Sequence, residues 1–280
     1  MSNPILASAV VEEEVPSLVR PEVHSEPVSL SRAMASEWIK FRTLRSSWAI
    51  LIAAVIGLPA IGLIVAYNTR HITPSIAPED LGPSATMQGF LLGQLLIGAL
   101  GVLVVSGEYS TGMIRSTFAA VPKRLPTVWA KALVFAVVVG TTLTVAAVVA
   151  FLSSQALLSH YRPGYSLTDP GVPRAVFGTA MYLTLLGVLG GAVGWIVRNT
   201  PGALVSFLGL ILVVPVIFGN LLGNWGKDVA QFMPGEAGRS FITGLHQPYM
   251  LSVGTGLVVF LAWVAVAVAC ATVLLRRRDV

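Results

Sequence analysis

Charge is scarce in this sequence. Of 280 residues, 18 are Lys or Arg and 13 are Asp or Glu, 11% together, against about 25% in an ordinary soluble domain. So few charges cannot coat a water-soluble globule of this size, and 55% of the residues are hydrophobic. Cysteine is nearly absent too: Cys270 stands alone, which excludes an internal disulfide, a C-x-x-C redox pair and a cysteine-rich zinc site. The four histidines, His24, His71, His160 and His246, are scattered singly, so no H-E-x-x-H metal spacing exists. Neither a G-x-S-x-G elbow nor a pair of intramembrane carboxylates occurs. Gly226-Lys227 is followed by Asp228 and lacks the earlier glycine of a P-loop, so the chain has no phosphate cradle of its own. No catalytic, cofactor-binding or metal-binding residue is expected, and the chain is not expected to be an enzyme.

What the sequence does have is long apolar runs. Six of them, about 48–67, 86–106, 128–158, 175–197, 202–222 and 251–275, are long enough to cross a hydrocarbon core of about 30 Å as helices. The expectation is an all-α, polytopic membrane protein with six transmembrane helices. The third run is long enough to tilt or to project beyond the bilayer. Pro201, after Asn199-Thr200, marks the start of the fifth helix, and Pro215 should kink its middle. Residues 1–30, with the run Glu12-Glu13-Glu14 and Pro16, Pro21 and Pro27, have too little apolar surface to offset the entropy of ordering and read as a disordered acidic tail. Residues 31–47 read as an interfacial helix: Met34, Trp38, Phe41, Leu44 and Trp48 share one side, while Glu37 and Arg45 spoil the stripe. The lipid bilayer is the first partner implied.

A net charge of +5 is not a nucleic-acid signature here, since no basic run is interleaved with aromatics on a soluble module. It is a topological signal. Eleven basic residues fall on one side of the spans (Lys40, Arg42, Arg45, Arg115, Lys123, Arg124, Lys131, Arg198, Arg276, Arg277 and Arg278). Five fall on the other (Arg70, Arg162, Arg174, Lys227 and Arg239). The basic side faces the cytoplasm, which puts both termini there. The outer loops are then 68–85, 159–174 and 223–250.

No ionisable residue lies deep in a span, which argues against a proton-driven pump or carrier. Gln94 and Gln155 are the strongest buried polar groups and read as interhelical hydrogen-bonding residues. Gly187, Gly190, Gly191 and Gly194, with Gly89 and Gly93, form G-x-x-x-G pairs that let helices approach closely. Packing within one subunit accounts for them before a dimer interface does.

The loop 107–127, within SGEYSTGMIRSTFAAVPKRLPTVWAKAL, is too patterned for a plain connector. Ile114, Phe118 and Val121 share a face of a short helix, with Thr111 and Arg115 off it. Pro122 ends that helix, Lys123 and Arg124 follow, and Lys131 enters the next span. Such a helix, joined directly to two membrane helices, acts as a lever on them.

At this point the sequence resembles the permease subunits of ABC-2 type transporters. In that family Glu, Gly, Pro, Arg and Lys recur at this spacing after the second span, matched here by Glu108, Gly112, Pro122, Arg124 and Lys131. The EWIKF run from Glu37 to Phe41 is similar to the family's entry helix, and the final LLRRRDV to its usual finish. The resemblance covers about residues 31–280. It implies a half-transporter in the cell membrane, paired with a second permease copy or paralogue and powered by a separate ATP-binding cassette subunit that holds ATP and Mg. The cargo class it implies is exported: a drug, peptide, lipid or similar solute. Glu108, Thr111, Gly112, Ile114, Arg115, Phe118, Pro122, Arg124 and Lys131 would couple to that ATP-binding partner, with Ile114 or Phe118 as apolar anchors. Glu108 would accept hydrogen bonds from the loop backbone or pair with Arg115. Residues 223–250 would fold as short re-entrant or interfacial helices. The alternatives are a non-transporting membrane scaffold or sensor, and a membrane-embedded enzyme, for which no convergent polar site is present.

Overall fold

A computed structural model of the chain describes residues 29–71, 87–114, 117, 125–161, 163–243 and 249–277. The expected acidic tail therefore lies almost wholly outside the described residues, as does most of the first outer loop. No strand occurs among those described.

Ser29 caps α1 (Leu30–Thr43), its side chain accepting from the Arg32 N–H, an oxygen placed where the first turn has spare donors. Leu44 breaks the helix with an extended backbone, and α2 (Arg45–Thr69) begins at once. The interfacial helix is thus shorter than expected, and Arg45 to Trp48 belong to the first span. The face it turns to the other helices overlaps the apolar stripe only in part. Ala33, Glu37 and Phe41, spaced four apart, are buried, whereas Trp38, Ile39 and Leu44 are exposed. The residue that spoiled the apolar stripe is at the centre of the packed one.

Among the described residues, six helical stretches are long and apolar enough to cross a membrane. They are α2, α3 (Phe90–Ser110), α4 (Leu125–Leu158), α5 (Val172–Val197), a broken fifth stretch, Thr200–Leu221, and α10 (Val253–Arg277). At 34 residues and about 1.5 Å per residue, α4 is about 50 Å long, well beyond a hydrocarbon core. The fifth stretch begins with Asn199 accepting from the Gly202 N–H at 2.9 Å. It consists of α6 (Thr200–Leu208), a π-helical turn (Gly209–Val213) and α7 (Val214–Leu221). Pro215 lacks an N–H for the carbonyl one turn back, and the distortion that results is the wide turn just before it, the form that helix interruptions commonly take.

The sequence between Leu222 and Met250 is not an open loop. It folds into α8 (Gly223–Ala230) and α9 (Pro234–Ile242), and α9 packs on α5 and α10. Ala237, Gly238, Ser240, Phe241 and Ile242 are buried, while Lys227 and Asp228 stay exposed and the Glu236–Arg239 pair is about a third exposed. Burial and charge are divided along the segment.

The α3–α5 pair forms the centre. A Cβ on Gly101 would lie 1.9 Å from the Gly187 carbonyl oxygen, and one on Gly190 would lie 2.4 Å from that of Gly98. The fourth-span glycines therefore serve close packing inside the chain. Between these helices the Tyr182 hydroxyl donates to Gln94 Oε1 at 3.0 Å, and its ring meets Phe90, Phe241 and Phe260. Gln155 differs from expectation: its Oε1 accepts from the Tyr165 N–H at 3.0 Å, tying the loop after α4 to that helix rather than bridging two spans.

Candidate functional site

Three helices converge at one end of the bundle: α1, the end of α3 and the beginning of α4. Each carries a charge there. Glu37 comes from the buried face of α1, Lys40 from the same helix one turn on, Glu108 from the last turns of α3 and Lys131 from the second turn of α4. Lys131 Nζ contacts Glu37 Oε2 at 2.5 Å and Glu108 Oε1 at 2.9 Å. Lys40 Nζ contacts Glu37 Oε1 at 2.8 Å and Glu108 Oε1 at 3.0 Å, and donates to Thr117 Oγ1 at 3.2 Å. Two carboxylates and two ammonium groups alternate in one neutral quartet.

Glu37, Glu108 and Lys131 are each about 5% exposed. Single charges so deep would be costly, and an arrangement with every charge opposed by two of the other sign is what makes the burial tolerable. Burial works against the Lys40 ammonium, but the hydrogen bond to Glu37 and the charges of Glu37 and Glu108 outweigh it and hold its pKa above the ordinary 10.5. The quartet is the strongest polar link between α1 and the two spans.

The chain beyond Glu108 is held by a left-handed stop. Thr111 N–H and its hydroxyl both return to the Gly107 carbonyl at 3.1 and 2.9 Å, and Gly112, at φ +72, donates its N–H to the Tyr109 carbonyl. Glycine occupies that conformation without a Cβ penalty. Glu108 is pinned by both lysines, and α3 runs on to Ser110, so the loop proper is shorter than 107–127. After the turn the backbone is helical again at Met113, Ile114 and Thr117. Ile114 is 2% exposed and packs with Val105, Val128, Trp195, Ala271 and Leu275, so it wedges between the ends of α3, α4, α5 and α10. Beside it Tyr109 stacks edge-on with Trp195 at 5.9 Å. The Arg198 guanidinium sits 5.7 Å from the Tyr109 ring and donates to the Leu274 carbonyl at 3.4 Å.

Of the sequence-derived site residues, the structure brings together Glu108 and Lys131, places Thr111 and Gly112 in the adjoining turn, and buries Ile114 in the chain's own core. Ile114 is therefore a packing wedge rather than an exposed docking anchor. Glu108 pairs with Lys40 and Lys131 rather than with the loop backbone. Arg115, Phe118, Pro122 and Arg124 lie outside the described residues. Glu37 and Lys40 are the members that sequence reasoning missed as site residues. Glu37 shares an i, i+4 register with Ala33 and Phe41, but only the fold shows that this stripe is buried and that cations stand opposite it. Among the described residues no group of three His, Cys, Asp or Glu side chains is placed to hold a metal. No model of a known protein family matches the chain, and no curated protein matches it either.

Proposed function

We propose that this chain is the membrane-spanning permease subunit of an ATP-driven ABC transporter of the ABC-2 type. It sits in the plasma membrane with both termini in the cytoplasm and exports a drug, peptide, lipid or similar solute. A separate ATP-binding cassette subunit supplies the energy, and a second permease copy or paralogue completes the pathway. The observation that carries this reading is the buried quartet. It fastens α1 and the turn at Gly112 to the ends of α3 and α4, so a push on the loop is delivered to two spans at once. Ile114, wedged against α5 and α10, spreads the same push to two more. A packed, ion-paired junction of this kind passes on displacement rather than absorbing it. The positive-inside asymmetry and the resemblance of the Glu108–Lys131 stretch support the orientation and the partner.

The test is isolation of the tagged chain from its native membranes after mild crosslinking. The expected result is an ATP-binding protein carrying a P-loop in the isolate, ATP hydrolysis by that complex, and none by the chain alone. An intact isolate without any ATP-binding protein contradicts the proposal and favours a scaffold.

A further inference from the structure

A groove of about 570 Å³ runs along the outside of the bundle between α1, α2 and α4. Met34 and Trp38 from α1, Trp48 from α2, and Val137 and Val138 from α4 line it. Trp38 and Val137 are exposed, so the groove opens to whatever surrounds the helices. The stretch of α4 within it, Val134 to Thr142, is about 12 Å long. Thr141 and Thr142 also face the groove, but each donates its hydroxyl to the carbonyl one turn back at 2.7 Å. Neither has a proton left for a ligand. On the flank of a membrane-spanning helix, a groove of this composition takes a hydrocarbon chain.

The charge beside the groove sets the head group. Arg42, in the last turn of α1, follows Trp38 by four residues. Arg45, the first residue of α2, precedes Trp48 by three. At these spacings each arginine shares a helix face with a tryptophan of the groove. The Trp48 indole N–H donates to the Arg42 carbonyl at 3.2 Å, which holds the two helix ends together at this point. Both arginines are exposed. Among the described residues neither has an ion-pair partner, because the carboxylates at this end, Glu37 and Glu108, are committed to Lys40 and Lys131. Asp169, Asp228 and Glu236 belong to the opposite end of the spans. Two unopposed guanidinium groups at the edge of an apolar groove complement a phosphate, which guanidinium grips through paired hydrogen bonds. A choline head group would bring its own cation up to the same two charges.

We propose that this groove binds one anionic phospholipid of the phosphatidylglycerol kind, with an acyl chain along Trp38, Trp48 and Val137 and its phosphate on Arg42 and Arg45. The inference requires that the chain spans a membrane but not that it is a transporter, so its failure would leave the proposed function untouched. An occupied groove fastens α1 to α2 and α4 on a face of α1 that the quartet does not use.

The experiment is native mass spectrometry of the full chain, delipidated in detergent and titrated with dioleoyl phosphatidylglycerol, dioleoyl phosphatidylcholine or glycerol phosphate. One phosphatidylglycerol per chain should be retained about tenfold more tightly than phosphatidylcholine, the effect expected of two cations beside a lipid head group. Glycerol phosphate, which has no chains, should not be retained. The double variant Arg42→Gln/Arg45→Gln should bring phosphatidylglycerol down to the level of phosphatidylcholine. Ala35→Phe fills the groove from an exposed position on α1. It should weaken retention of both lipids while leaving the unfolding temperature of the lipid-free chain unchanged. Equal retention of the two lipids by the wild type would mean an apolar groove without head-group recognition, and retention of glycerol phosphate a site for the free anion. Either result overturns the proposal, as does an undiminished preference in the double variant or undiminished retention by Ala35→Phe.

Discussion

At the scale of the residue, the quartet behaves as a unit. Removing one partner from a buried ion pair leaves an uncompensated charge and typically costs about 3–5 kcal/mol. Glu37→Gln and Lys131→Met should each lower stability by about 3 kcal/mol, whereas the double variant should lose much less than the sum. Thermal or denaturant unfolding in detergent checks this; strict additivity would mean that the two side chains do not interact. Lys40 gives a pH test. Its pKa is raised by folding, so its contribution is fully present below the unfolded value of 10.5 and is lost only as pH climbs through the still higher folded one. The stability difference between the wild type and Lys40→Met should accordingly be constant from neutral pH to about pH 10. A decline near pH 8 would show that Lys40 is not held as an ammonium by its two carboxylates.

At the scale of the element, helix approach is governed by where backbone touches backbone. Gly190→Ala drives a Cβ into the Gly98 carbonyl and should cost about 1–3 kcal/mol by overpacking. Gly107→Ala, in open space on the same pair's outer end, should be neutral or stabilising by up to about 1 kcal/mol. Comparing their unfolding temperatures checks the α3–α5 contact, and equal effects would contradict it. The six spans were legible because apolar length alone identifies them. The glycine spacing likewise announced close packing, although not that α3 was the partner. Three features were hidden for physical reasons. The packed face of α1 was not legible, because amphipathicity locates water and lipid but does not foresee a charge buried by ion pairing. The break at Leu44 carries no Pro or Gly to announce it. Ile114 shares a helix face with Phe118 and Val121 by periodicity, and only the convergence of four helix ends shows that its own chain covers it. Glu108 and Lys131 stood out in sequence; Glu37 and Lys40, far away along the chain, needed the fold to join them.

At the scale of the whole molecule, orientation comes first. With Cys270 replaced, single cysteines at the exposed positions Ser166 and Asn224 should react with an impermeant thiol reagent on intact cells, and one at Thr111 should react only after the membrane is opened. Labelling of Thr111 from outside would invert the topology. The central claim is that movement of the loop reaches the far side of the bundle through the quartet. Its most direct measurement is the distance between spin labels at Thr111 and Asn224 in the complex with the proposed ATP-binding partner, with and without nucleotide. The expected result is a nucleotide-dependent change of distance in the wild-type background that is lost in Glu37→Gln while the partner stays bound. A distance indifferent to nucleotide, or an equal change with the quartet broken, would contradict the account.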